Sequence, residues 1–78
     1  MMEIEERVRK SLALFDANIK KLDNVDLTDS ESKVIELARM YASDTRSWIE
    51  KGDMVTAFSA IEYAHGLLDA IIKTKAGG

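Results

Sequence analysis

The residue best suited to chemistry in this chain is its single histidine, His65, which lies between two carboxylates at helical spacing. Glu62 precedes it by three positions and Asp69 follows it by four, so one helix would carry all three on neighbouring turns. Glu62 and His65 match the Glu-x-x-His element of helical bundles that bind two metal ions. A complete site needs a second such element and further acids, so only a homodimer would supply it, with Asp44 as the extra acid.

A packed histidine is the alternative, and the sequence favours it because isolated motif matches often arise by chance. In that interpretation the His65 ring lies near the core and bonds to Asp69, to Asp44 or to a backbone carbonyl. We keep His65, Glu62, Asp69 and Asp44 as candidate metal ligands, and we predict no cofactor.

Other catalytic chemistry has little support in the sequence. The chain has no cysteine, which excludes disulfides, thiolate metal sites and thiol nucleophiles. Ser43, Ser47 and Ser59 follow no strand-to-helix elbow or glycine-rich turn of the kind that activates a serine. The segment Lys51-Gly52-Asp53 is too short to form a phosphate-binding loop. We therefore predict that the protein is not an enzyme.

Three aromatic residues, Tyr41, Trp48 and Tyr63, are candidates for an interaction surface because Trp and Tyr are enriched at interface hot spots. The alternative is that they fill the interior or the rim of a helical hairpin, and the sequence favours this for Trp48. Tyr63 lies off the main apolar seam of its helix. These residues predict a protein partner, or a second copy of the chain in a homodimer.

Apolar residues recur at spacings of three and four along three segments, which predicts amphipathic helices over residues 3–22, 29–51 and 54–73. The predicted seams are Ile4, Val8, Leu12, Phe15, Ile19 and Leu22 in the first helix, Val34, Ala38, Tyr41, Thr45 and Trp48 in the second, and Phe58, Ile61, His65, Leu68 and Ile72 in the third. Ile35, Ala42 and Ile49 flank the second seam, and Val55, Ala57, Ala64 and Ile71 lie beside the third. Leu14 lies off the first seam, so we expect it to be partly exposed.

The residues between these segments are typical of helix ends. Thr28 followed by Glu31 is a capping-box pattern for the second helix. Gly52 suits a left-handed residue after that helix, and Asp53 suits the N-cap of the next. Gly66 in mid-helix costs about 0.8–1.0 kcal/mol relative to Ala, so we expect it to make room for a bulky neighbour.

Three such helices with short connections predict an all-α fold, an antiparallel up-down-up three-helix bundle. The 78 residues are enough for a single domain. We expect residues 1–2 and 75–78 to be frayed at its ends.

The charge pattern argues against nucleic acid as a partner. The net charge is −3, and no dense stripe of Lys and Arg is available for a phosphate backbone. A further alternative, nucleotide or nucleic-acid binding through the basic residues of the first helix, predicts salt-sensitive binding. Those residues are Arg7, Arg9, Lys10, Lys20 and Lys21.

The hydropathy pattern predicts a cytoplasmic protein without a membrane segment. The uncharged runs are much shorter than a membrane span, and the charged N-terminal residues are unlike a signal peptide.

The turn and its flanking helices resemble a known family. The matching segments are Tyr41-x-x-Asp44, Trp48-x-x-Lys51-Gly52-Asp53-x-x-x-Ala57-Phe58 and Tyr63-Ala64-His65-Gly66-Leu67-Leu68-Asp69. They are similar to a small archaeal family, domain of unknown function 357, over about half of the chain. The resemblance implies an archaeal origin, a compact helical fold and no established activity, and it supplies no catalytic residues.

From the residues and the resemblance together, the sequence predicts a non-enzymatic module for protein–protein interaction or self-association. Metal binding around His65 is the alternative, and nucleotide or nucleic-acid binding is a further one.

Overall fold

The structure, a computed structural model, describes residues 3–76. It contains α1 (Ile4–Ile19), which continues as one 3-10 turn over Lys20–Leu22, followed by α2 (Asp29–Glu50) and α3 (Met54–Ala76). No strand occurs among these residues. The predicted all-α three-helix bundle is confirmed, and each helix begins within one residue of its predicted start.

The end of α3 differs from the prediction. The helix runs to Ala76, three residues beyond the predicted end, so Lys75 and Ala76 are helical where a frayed end was expected. The fraying expected at residues 1–2, 77 and 78 lies outside the described residues.

The start of α2 is held by the predicted capping box. The Thr28 backbone N–H donates to Oε1 of Glu31 at 2.8 Å, and the Glu31 backbone N–H donates to Oγ1 of Thr28 at 3.1 Å. The same Oε1 lies 2.7 Å from Nζ of Lys75 near the end of α3. The hydrogen bond from Lys75, and then that from the Thr28 backbone, lower the pKa of Glu31 below its ordinary value. One carboxylate therefore joins the beginning of α2 to the end of α3.

The turn between α2 and α3 is a Schellman motif followed at once by an N-cap, and the left-handed Gly52 and the N-cap Asp53 were predicted from the sequence. Gly52 has φ of +80°, and its N–H donates to the Ile49 carbonyl at 3.0 Å. The Asp53 N–H donates to the Trp48 carbonyl at 3.0 Å, the second bond of the motif. The Asp53 carboxylate accepts from the backbone N–H of Thr56 at 3.0 Å and from its hydroxyl at 2.8 Å. These two bonds lower the pKa of Asp53. The turn as a whole makes α2 and α3 a tight antiparallel hairpin.

The core lies between the two helices of this hairpin, and α1 closes it by packing mainly against α3. Leu14 is 54% exposed, as expected, but Ile4, which was predicted to face the core, is 44% exposed. The buried apolar residues of α1 and its 3-10 turn are Val8, Phe15, Ile19 and Leu22.

The buried lines of α2 and α3 combine residues of the predicted seams with residues predicted beside them, and Val55, predicted beside the α3 seam, is 71% exposed. The buried line of α2 is Ile35, Ala38, Ala42, Thr45 and Ile49, and that of α3 is Ala57, Ile61, Ala64, Leu68 and Ile71. Val34, Tyr41 and Trp48 are only half-buried, as are Phe58, His65 and Ile72. Alanines on the central line of both helices let the backbones come close, which leaves the large rings at the edge of the contact.

Gly66 does not make room for a neighbour, so that expectation is wrong. The residue is exposed, and a Cβ atom built on it would have no atom within 4 Å apart from those of its own helix. The glycine therefore leaves an unoccupied position on the outer surface of α3.

α3 is the most apolar element of the bundle. Its segment Met54–Lys75 reaches a mean hydropathy of 1.2 over 18 residues, enough by length and composition for a membrane span. Buried residues make up 28% of that window, and core helices of water-soluble bundles have similar compositions. The expectation of no membrane segment stays a prediction.

The two glycines give a matched pair of substitutions. We expect Gly66→Ala to raise the free energy of unfolding by about 0.5–1 kcal/mol, because Ala loses less backbone entropy in a helix and meets no neighbour. Gly52→Ala should lower it by about 1–2 kcal/mol, since its left-handed backbone disfavours a Cβ atom. Urea unfolding followed by circular dichroism measures both changes. Equal effects of the same sign would contradict this account.

Glu31 and Asp53 should make the fold sensitive to acid. Each has a lowered pKa in the folded state, so the stability it adds is present above its unfolded pKa, at about pH 4–4.5, and is lost as the pH falls through the lower folded-state value. We expect Glu31→Gln and Asp53→Asn to lower the free energy of unfolding at pH 7. Their difference from the wild type should shrink towards pH 3. A difference that stays constant in urea titrations from pH 7 to pH 3 would contradict the assignment.

Candidate functional site

A groove of about 390 Å³ lies between α2 and α3, and we call it the α2–α3 groove. α1 lies across the other side of the hairpin, where it contacts Phe58 and His65. The groove is lined by Tyr41, Asp44 and Trp48 of α2 and by Thr56, Ser59, Ala60 and Tyr63 of α3. The three aromatic residues predicted as an interaction surface therefore meet in one place.

The spacing of these residues explains how the groove forms. Tyr41, Asp44 and Trp48 recur at intervals of three and four, so they share one side of α2. Thr56, Ala60 and Tyr63 recur at intervals of four and three, so they share one side of α3. This second series is absent from the predicted site residues, although its spacing alone indicates a shared side. The small side chains of Ser59 and Ala60 leave the space that the rings of the groove surround.

The two tyrosine rings of the groove meet edge to face. The centroids of Tyr41 and Tyr63 are 4.7 Å apart with an interplanar angle of 73°, and Tyr63 is 52% exposed. Nζ of Lys51 lies 4.7 Å from the centroid of the Trp48 ring, a cation–π contact. The groove thus offers aromatic surface, and one of its rings already receives a cation.

Asp44 is the only formally charged residue among the described residues that line the groove. Its side chain is exposed, and it forms no ion pair within residues 3–76. A carboxylate beside aromatic rings attracts a cationic group, because both the charge and the negative ring faces favour it.

His65 points the other way, towards α1. Its Nε2–H donates to the backbone carbonyl of Ser11 at 2.7 Å, and its ring meets Phe15 edge to face at a centroid distance of 5.8 Å. This is the packed histidine bonded to a backbone carbonyl that the sequence analysis offered as the alternative. Because Nε2 is occupied, a metal ion would have to bind at Nδ1.

The structure does not bring the four candidate metal ligands together. Glu62 accepts a hydrogen bond from the Ser11 hydroxyl at 3.4 Å, Asp69 is exposed, and Asp44 lies in the groove. Tyr63 of the groove and His65 are two positions apart, so they point to opposite sides of α3. Within residues 3–76 no group of three or more acidic or histidine side chains is placed to hold a metal ion.

Two of the basic residues of α1 make contacts within the bundle. Nε of Arg9 bonds Oε2 of Glu5 at 3.0 Å, and the Arg7 guanidinium lies 5.5 Å from the centroid of the Phe58 ring. Phosphate binding by these two side chains would have to replace those contacts.

A comparison with protein families identifies a family that the chain matches over most of its length. The family model described as "Protein of unknown function (DUF357)" matches residues 8–76, which include α2, α3 and most of α1. The match therefore extends well beyond the motifs around the turn. No curated protein matches the chain.

The contacts of His65 lead to a prediction about its role. We expect His65→Ala to lower the free energy of unfolding by about 1–3 kcal/mol, because it removes a hydrogen bond and an aromatic contact between α1 and α3. Urea unfolding of both proteins should give the same difference with EDTA and with added Zn²⁺. If Zn²⁺ stabilises the wild type but not the variant, the metal-site hypothesis is the better account of His65.

Proposed function

Because the chain belongs to the DUF357 family, whose function is unknown, we propose a function from its surface: it is a non-enzymatic interaction module that binds a helix of a partner in the α2–α3 groove. The observation that supports this most is the meeting of Tyr41, Trp48 and Tyr63 around a single groove.

The two sides of the groove have the spacing of a helix-binding seam. Tyr41, Asp44 and Trp48 on α2 face Thr56, Ala60 and Tyr63 on α3, each series following intervals of three and four. A further helix that packs into such a seam would complete a four-helix bundle. Amphipathic helices bind hydrophobic grooves in this way through residues at i, i+3 or i+4, and i+7.

The exposure of Tyr63 supports binding rather than folding as the reason for its ring. Half of the side chain faces solvent, so it adds less to the core than Ile61 or Leu68, which are fully buried. Tyrosine and tryptophan supply large contact areas at interfaces with little loss of side-chain entropy. We infer that Tyr63 is the central contact of the bound helix.

Asp44 sets the charge of the expected partner. An exposed carboxylate that the partner covers loses water, so the bound helix should offer it a Lys or Arg side chain. The partner helix is then amphipathic, with one basic residue beside its apolar stripe.

The proposal can be tested by selecting helical peptides from a displayed library on the wild-type protein. We expect the enriched peptides to carry apolar residues at helical spacing and a Lys or Arg. Tyr63→Ala should weaken their binding about tenfold or more, as truncation of a hot-spot residue does. Isothermal titration calorimetry gives the Kd values.

Leu14→Ala is the matched control, because Leu14 is as exposed as Tyr63 but lies on α1. This variant should bind the peptides like the wild type. A selection without enriched peptides, or peptides that bind the Tyr63→Ala variant equally well, would overturn the proposal.

A further inference from the structure

The outward side of α2, next to the groove, carries a regular stripe of exposed residues. Lys33, Leu37, Met40 and Asp44 follow one another at intervals of four, three and four, and we call them the outer stripe of α2. Leu37 is 36% and Met40 50% exposed. At 3.6 residues per turn these positions form one narrow line along the helix, away from its buried side.

The order of residue types makes the outer stripe complementary to a reversed copy of itself. A cation stands at one end, an anion at the other, and two large apolar residues lie between them. With a rise of 1.5 Å per residue, Lys33 and Asp44 each lie about 8 Å from the midpoint between residues 38 and 39. A second α2 laid antiparallel about that midpoint would place each Lys33 opposite an Asp44 and each Leu37 opposite a Met40.

We propose that the chain forms a two-fold symmetric homodimer through the outer stripe of α2. This inference goes beyond the proposed function, because the outer stripe lies beside the α2–α3 groove and shares only Asp44 with its lining. A two-fold interface uses the same surface on both subunits and must be complementary to itself. The outer stripe meets this condition, since it forms two opposite-charge pairs around an apolar centre.

The charges also select the orientation of the dimer. A parallel pairing of the two helices would place Lys33 against Lys33 and Asp44 against Asp44, and like charges in contact are unfavourable. Neither side chain forms an ion pair within residues 3–76, so both are available to a second copy.

The groove is continuous with this interface, because Asp44 belongs to both the outer stripe and the groove lining. Lys33 of the second copy then supplies the cation that the Asp44 carboxylate attracts, while the Trp48 ring keeps its contact with Lys51. His65 lies on the α1 side of α3, so this dimer does not bring two histidines together. The proposed dimer is thus distinct from one that would complete a two-metal site.

Charge reversal tests the proposal directly on the full chain. Sedimentation equilibrium should show a reversible dimer of the wild type. Lys33→Asp and Asp44→Lys should each weaken dimerisation about tenfold, because each substitution puts like charges together at two symmetric positions. The double variant K33D/D44K should regain the wild-type Kd, and an equimolar mixture of the two single variants should form a heterodimer.

Lys20→Asp is the control, because it makes the same charge change at an exposed position beyond α1 and should leave the dimer unchanged. Circular dichroism of each variant confirms that it is folded. The inference is overturned if the wild type stays monomeric at millimolar concentration, or if the charge reversals leave the Kd of the dimer unchanged.

The outcomes separate this inference from the proposed function. A monomeric chain that still binds helical peptides through Tyr63 would retain the groove as a binding site and overturn the homodimer. A dimer that follows the charge pattern, in a protein with no Tyr63-dependent peptide binding, would support the homodimer and overturn the proposed use of the groove.

Discussion

The close approach of α2 and α3 is the constraint on which the rest of the bundle depends. Alanines at positions 38, 42, 57 and 64 are buried where α2 and α3 face each other. The Schellman turn at Gly52 lets α3 begin directly after α2 ends. Helices this near to each other have little space for aromatic rings between them. The rings of Tyr41, Trp48 and Tyr63 therefore lie at the edge of the contact, and the α2–α3 groove results from tight packing elsewhere.

Features set by local chemistry were predictable from the sequence. The capping box at Thr28, the left-handed Gly52 and the N-cap Asp53 depend on residues within one turn of each other, and all three are present. The buried lines of α2 and α3 contain some predicted seam residues and some flanking ones, because a stripe with intervals of three and four fits two neighbouring lines of a helix almost equally well. Gly66 was misjudged because whether a glycine faces a neighbour or solvent depends on which side of α3 is covered.

For the candidate site too, the spacing of residues along one helix was predictable, whereas the packing of the helices against each other was not. Rare residues drew attention to His65, yet its ring belongs to the contact between α1 and α3. The spacing of Tyr41, Asp44 and Trp48 indicated one shared side of α2, but not whether α1 would cover it. Packing of α1 mainly against α3 leaves that side of the hairpin open. The same geometry separates Asp44 from His65, which the sequence analysis had considered together.

Glu31 gives the bundle a property that no single helix has. Its carboxylate caps the first turn of α2 and also contacts Lys75, which lies 44 positions later in the chain. Opening of either helix end removes a hydrogen-bonding partner from the other, so the two ends should open as one cooperative unit in native-state hydrogen exchange. The last turn of α3 therefore helps to keep the first turn of α2 hydrogen-bonded, although the two segments belong to different helices.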